Sequence, residues 1–216
     1  AGGFDGRNRA GPTTGDFMTR CLIVLAHPLD RSLCGWLADR AQAAAEARGW
    51  TVDRLDLHAE RFDPVLTAGE RAGYYGPPAA ATGDPLAARL AAAEVLILVF
   101  PTWWFGFPAI LKGWFDRVWR PGVAFDHAPD LGRMIPRLQR LQRVISVTTM
   151  GAPWWIDRMV MGRPLRRVLK RAIVGPCAPA AKLDWIVLYG AETVSAGRAA
   201  SFASRVDRRI AGATLR

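Results

Sequence analysis

The chain has 216 residues, half of them hydrophobic, which suits one domain with a sizeable core and excludes a chain disordered as a whole. Its net charge of +10 is carried almost wholly by arginine. That charge suits an anionic partner such as phosphorylated cofactors, a membrane surface or nucleic acid, and equally an arginine-rich solvated surface. Three cysteines, at positions 21, 34 and 177, show neither metal-ligand spacing nor a disulfide framework, which suits a reducing, cytoplasmic setting.

Residues 1–17 are polar and glycine-rich without an apolar centre, so they do not read as a signal peptide. They read as a disordered leader or expression remnant, Met18 suits a natural start, and the domain proper is expected over 18–216. Arg20 to Ala26 is an apolar strand, followed by the turn His27, Pro28, Leu29, Asp30, Arg31, Ser32. A helix is expected from Ser32 to Arg48, with Ser32 as N-cap and Gly49 at the C′ position. Thr51 to Asp56 alternates and reads as a strand nearer an edge. A long excursion follows over 57–84, punctuated by Tyr74, Tyr75, Gly76, Pro77 and Pro78. Within it Asp56, His58 and Asp63 lack the company a metal site needs and read as solvated surface.

A helix over 85–93 leads into Val95 to Phe100, an unbroken apolar run of the kind buried on both faces of a parallel sheet. Pro101 is expected to end that strand, since proline cannot donate to a ladder. Pro101 to Phe107 carries no charge, and Pro108 suits the first turn of a helix running to Arg120. The Pro101, Gly106 and Pro108 breaks exclude a membrane span through this segment. Ile110, Leu111, Trp114, Phe115, Val118 and Trp119 recur at three and four, giving one apolar face wider than a single sheet face needs. Such surplus marks an interface, and a two-fold homodimer is the commonest solution. A second excursion runs over 121–142. Arg143 to Thr149 is the fourth strand, Gly162 to Val174 a helix rich in arginine, Leu183 to Tyr189 the fifth strand, and Ala196 to Ala211 the last helix. Strands alternating with helices specify a three-layer α/β sandwich around a parallel sheet.

The segment PTWWFGFPAILKGWFDRV, at 101–118, resembles the signature of the flavodoxin-like NAD(P)H quinone oxidoreductases, the DT-diaphorase group. LIVLAHPLDRSL at the first strand and VTTMGAP at Val147 to Pro153 are similar too, and the resemblance covers 20–174. It implies a flavodoxin-like fold with strand order 2-1-3-4-5 and a ping-pong NAD(P)H:quinone oxidoreductase moving hydride through flavin N5. FAD is favoured, with FMN the alternative, and NAD(P)H is the co-substrate. His27, Arg31, Ser32, Leu33 and Cys34 would then hold phosphates or the adenosine side, helped by the helix N-terminus. Pro101, Thr102, Trp103, Trp104 and Phe105 would run along the flavin ring, with Trp104 stacked on it. Thr148, Thr149, Met150 and Gly151 would meet its pyrimidine edge.

The family's tyrosine and histidine after that loop are missing from GAPWWIDRMVMG, so Trp154 and Trp155 are expected to wall the substrate pocket. In the family the second excursion reaches the partner subunit's flavin. Phe125 would therefore line the pocket, and His127 would act as gate or proton donor to a quinone-like acceptor. A rival from another class is a flavin-binding regulatory subunit of a membrane potassium efflux system, with peripheral contact to a membrane or membrane protein. Nucleic acid is the least favoured partner.

Overall fold

A computed structural model describes residues 18–75, 83–130 and 132–215. The expected leader over 1–17 and the Gly76, Pro77 and Pro78 punctuation lie outside the described residues. Five strands form one parallel sheet: β1 (Arg20–Leu25), β2 (Thr51–Asp56), β3 (Val95–Pro101), β6 (Arg143–Met150) and β7 (Lys182–Tyr189). Their order is β2-β1-β3-β6-β7, which is the expected 2-1-3-4-5 arrangement. Every residue of β3 is buried because the strand is central and covered on both faces. Leu96, Leu98 and Phe100 point into one core with α3 (Pro85–Ala92) and α4 (Ala109–Val118). The alternate residues Val95, Ile97 and Val99 point into the other, under α1 (Leu33–Glu46) and α7 (Ala196–Ala211).

Several boundaries differ from expectation. Pro101 belongs to β3 and pairs with Thr149, since the ladder bond to β6 here is made by the next residue, Thr102 N–H donating to the Thr149 carbonyl at 2.7 Å. Its missing N–H faces the side where β1 has already ended, the last bond there running from Ala26 N–H to Val99. Helix α1 stops at Glu46, so Gly49, at φ 74°, sits one residue beyond C′. Pro108 is the N-cap of α4 rather than its first turn, and α4 stops at Val118, short of Arg120. The expected helix over 162–174 cannot begin at Gly162, because Gly162 and Arg163 are both left-handed, at φ 63° and 53°. It begins as α5 (Pro164–Arg167), widens into a π-helix over Val168–Val174 and closes as α6 (Gly175–Cys177).

The excursions are also structured. The first holds α2 (Ala68–Ala72), whose capping box joins Thr67 and Glu70 reciprocally. The second holds an antiparallel pair, β4 (Phe125–His127) with β5 (Met134–Pro136). A larger correction concerns α4. Its apolar face is spent inside the chain: Trp114, Phe115, Val118 and Trp119 are all buried. They stack through Phe107 onto Phe100, with centroids 5.1 and 5.5 Å apart along the Phe115–Phe107–Phe100 path. Pro64 closes the other side so tightly that a Cβ on Gly113 would collide with its carbonyl oxygen. The surplus surface that the sequence suggested for a dimer is therefore absent from this helix. No helix among the described residues is long and apolar enough to cross a membrane.

Candidate functional site

The loops after β1, β3 and β6 open at the carboxyl ends of three adjacent strands, the crevice where ligands sit in open α/β sheets. After β1, Ser32 Oγ accepts from Gly35 N–H at 3.0 Å and caps α1. Such an N-terminus favours an anion through its unpaired N–H groups and dipole. His27 Nδ1 accepts from Leu29 N–H at 3.1 Å, which fixes the tautomer and leaves Nε2–H as a donor. Arg31 is exposed beside them. Together with Leu33 these residues line a cleft of about 670 Å³ that continues past the end of β2 to Arg54, Asp56 and His58. Cys34 lies differently. Its side chain is buried, with Sγ 3.6 Å from Thr149 Oγ1, and burial pushes its thiol up to about 11 against a smaller opposing effect of Thr149. Cys34 thus ties α1 to β6, and only its backbone faces the turn.

After β3 the chain makes a two-residue turn. Trp103 and Gly106 exchange both backbone hydrogen bonds, at 3.2 and 2.8 Å. The two residues between them, Trp104 and Phe105, have φ of 50° and 55°. Asparagine and glycine usually fill such a turn, and bulky residues at positive φ are strained. The turn leaves the N–H groups of Trp104 and Phe105 without a partner among the described residues. It also throws the Trp104 indole entirely into solvent, at 100% exposure, with Trp103 half-exposed beside it. Pro101 and Thr102 are buried underneath.

After β6, Thr148 and Thr149 are buried and brace the floor. Thr148 Oγ1 lies 2.7 Å from Thr102 Oγ1, and Met150 is buried as well. The open residue is Gly151, where a Cβ would meet the Glu192 carboxylate at 2.7 Å. Trp154 and Trp155 follow, both about half-exposed, and lead into a π-turn over Ile156–Val160.

His127 packs into an aromatic cluster, 5.1 Å from Tyr75, 5.3 Å from Phe125 and 6.1 Å from Tyr74 between centroids, and its buried Nε2 has no hydrogen-bond partner among the described residues. Phe125 is buried within that cluster. One pair escapes sequence reasoning altogether. Tyr189, at the end of β7, donates its hydroxyl to the buried Asp157 at 2.7 Å. Burial first, and Asp157 next, raise the Tyr189 pKa, so the phenol stays a neutral donor. Asp157 lies in the segment after the β6 loop that lacks the expected tyrosine and histidine, and Tyr189 lines a groove together with Trp154.

The model of a family described as having a flavodoxin-like fold matches residues 19–209. Relatives include an uncharacterised NAD(P)H oxidoreductase, YcaK, of Escherichia coli, 37% identical over 49% of this chain and 55% of its own length. Another is NAD(P)H dehydrogenase [quinone] 1 of Cavia porcellus, 34% identical over 62% of this chain and 54% of its own. The chain thus spans about half the length of these two relatives. Among solved structures, Smu.1420 of Streptococcus mutans superposes with a TM-score of 0.76 at 28% identity, covering 89% of this chain and 98% of that one. The NAD(P)H:quinone oxidoreductase of Methanothermobacter marburgensis gives 0.73 at 20% identity over 89% and 96%, a likeness of fold. The matched span takes in every strand of the sheet and all three loops of the crevice, and the chain belongs to the flavodoxin-like family.

Proposed function

We propose that the chain is a flavin-dependent NAD(P)H:quinone oxidoreductase. The observation that carries this reading is the Trp103–Gly106 turn, which holds two N–H groups without a partner among the described residues and a fully exposed indole at the end of the central strand. Such a turn suits a planar ring with polar edges. A bound flavin would supply hydride acceptance and donation.

The chain's residues have separable roles in this reading. The Trp104 and Phe105 N–H groups donate to the ring's polar edge, and the Trp104 indole covers a face. Gly151, held beside buried Thr148, Thr149 and Met150, lets backbone approach the pyrimidine edge, where donors favour the reduced, negatively charged form. Ser32, Leu33, Cys34 and their N–H groups, with His27 Nε2–H and Arg31, hold phosphate. The cleft's continuation past β2 leaves room for an adenosine half, which supports FAD over FMN. Trp154 and Trp155 wall the seat of a quinone-like acceptor, and Tyr189, which shares a groove with Trp154, is a neutral donor. A homodimer, now resting on the exposed indoles rather than on α4, would bring His127 to the partner's site, with Phe125 buried behind it and packed against its ring. Sedimentation velocity at micromolar concentration tests that point, and a monomer there ends it.

The reading as a whole is tested on purified protein. It should show the visible absorption of oxidised flavin, bleach on adding NAD(P)H under anaerobic conditions and recover with a benzoquinone. Protein that is colourless and takes up neither FAD nor FMN would overturn it.

A further inference from the structure

A cluster of arginines lies away from the crevice floor, along the open edge of β7. A groove of about 580 Å³ runs there between the α5 segment and α7, lined by Arg158, Arg163, Arg166, Arg205 and Arg209. Among the described residues only Arg209 of these five has a carboxylate partner, Asp184 at 3.1 Å. Asp184 is itself engaged by Arg143 at 2.6 Å, and Asp157 is buried under the Tyr189 hydroxyl. Edge strands normally show acceptors as well as donors, but here Arg205 and Arg198 occupy the outward carbonyls of Val187 and Tyr189, each at 2.9 Å. The groove therefore presents donors and positive charge. Burial, then Arg209 and Arg208, hold the Arg205 guanidinium below its usual pKa, as expected for crowded cations without matching anions.

The groove's position indicates which anion it takes. Its upper end is formed by Trp154 and Tyr189, beside the loop that begins at Gly151. Its floor is Leu183 to Tyr189, a run of roughly 20 Å at ~3.3 Å per residue, which suits an extended dinucleotide. It is concave, unlike the flat face a bilayer would meet. Arginine is the residue suited to bidentate capture of phosphate.

Resting on the oxidoreductase reading above, we infer that this groove binds the adenosine end of the nicotinamide co-substrate, with the 2′-phosphate that distinguishes NADPH from NADH as its anchor. The nicotinamide would lie at the Trp154 and Tyr189 end, the pyrophosphate beside Arg163 and Arg205, and the 2′-phosphate further toward Leu183, by Arg166 and Arg209.

Calorimetric titration of the full chain with adenosine 2′,5′-bisphosphate and with adenosine 5′-monophosphate tests this without relying on turnover. One charge-assisted phosphate contact should make the bisphosphate bind ~10-fold tighter. Arg166→Glu should erase that advantage, Arg166→Lys should keep part of it, and both variants should unfold at the parent's temperature. In steady state Arg166→Glu should raise the KM for NADPH ~10-fold and shift the KM for NADH much less. Equal affinity for the two nucleotides, or an advantage that survives Arg166→Glu, overturns the inference. So does binding to phosphatidylglycerol vesicles that Arg166→Glu abolishes while the nucleotides bind alike. Protein that takes up no flavin yet keeps the 2′-phosphate preference would sink the oxidoreductase reading and leave the groove as a nucleotide phosphate site.

Discussion

Two neighbouring parts of one aromatic-rich stretch meet opposite fates. Trp103 and Trp104 lie in a turn that exposes them, with Phe105 partly covered beside them, while Trp114, Phe115 and the C-cap Trp119 lie along a helix that buries them almost completely. Composition does not separate them. Backbone geometry does: positive φ at Trp104 and Phe105 turns their side chains away from the sheet, whereas helical spacing lays the others on the face toward Phe107 and Phe100. The helix therefore stabilises the fold, and the strained turn is available for a ligand. Strain of this kind clusters at functional sites because the surrounding structure must sustain it.

The sharpest way to break that division is Trp114→Ala. The side chain is fully buried and stacks edge-on against Phe115 at 5.2 Å and Trp119 at 6.1 Å. Its loss should cost about 3–5 kcal/mol through burial and cavity, read as a fall in the urea midpoint with an unchanged slope. If Trp114→Ala instead weakened flavin binding while leaving the midpoint alone, the two regions would have exchanged roles.

Trp104→Ala should do the reverse. The indole is fully exposed, so stability should stay within about 0.5 kcal/mol of the parent. Flavin affinity should fall by roughly 1–3 kcal/mol, judged from stacking of bases on aromatic side chains, and fluorescence titration of the flavin-free protein would measure it. Unchanged affinity would remove the turn from the site.

The division was only half legible in the sequence. Strands β1, β3, β6 and β7 announce themselves because burial on both faces, in β7 over Ile186–Leu188, demands apolar runs, and the covering helices carry matching periodicity. The loop after β3 was legible as a ligand segment, but its conformation was not, since nothing in Trp-Trp-Phe-Gly signals left-handed residues where asparagine or glycine is usual. The fate of α4 was misread for a non-local reason: Phe107 and the Pro64 loop cover its surplus face, and neither contact shows in its own spacing. Elements as short as β4 and β5 carry too few residues for a period to register. Tyr189 and Asp157 stand 32 positions apart and meet only because β7 ends beside the π-turn.

A smaller effect separates the indole from the strain beneath it. Trp104→Gly and Trp104→Ala both remove the ring and should bind flavin with similar weakness. They differ in the backbone, because alanine at φ 50° keeps the left-handed penalty and glycine does not. That penalty is roughly 1–2 kcal/mol, offset by the ~0.5–1 kcal/mol of extra chain entropy glycine loses on folding. Trp104→Gly should therefore be the more stable of the two by about 0.5–1 kcal/mol in paired urea titrations. Equal midpoints would mean that the turn relaxes out of its left-handed form once the ring is gone, and that the indole rather than the surrounding fold holds the N–H groups in place.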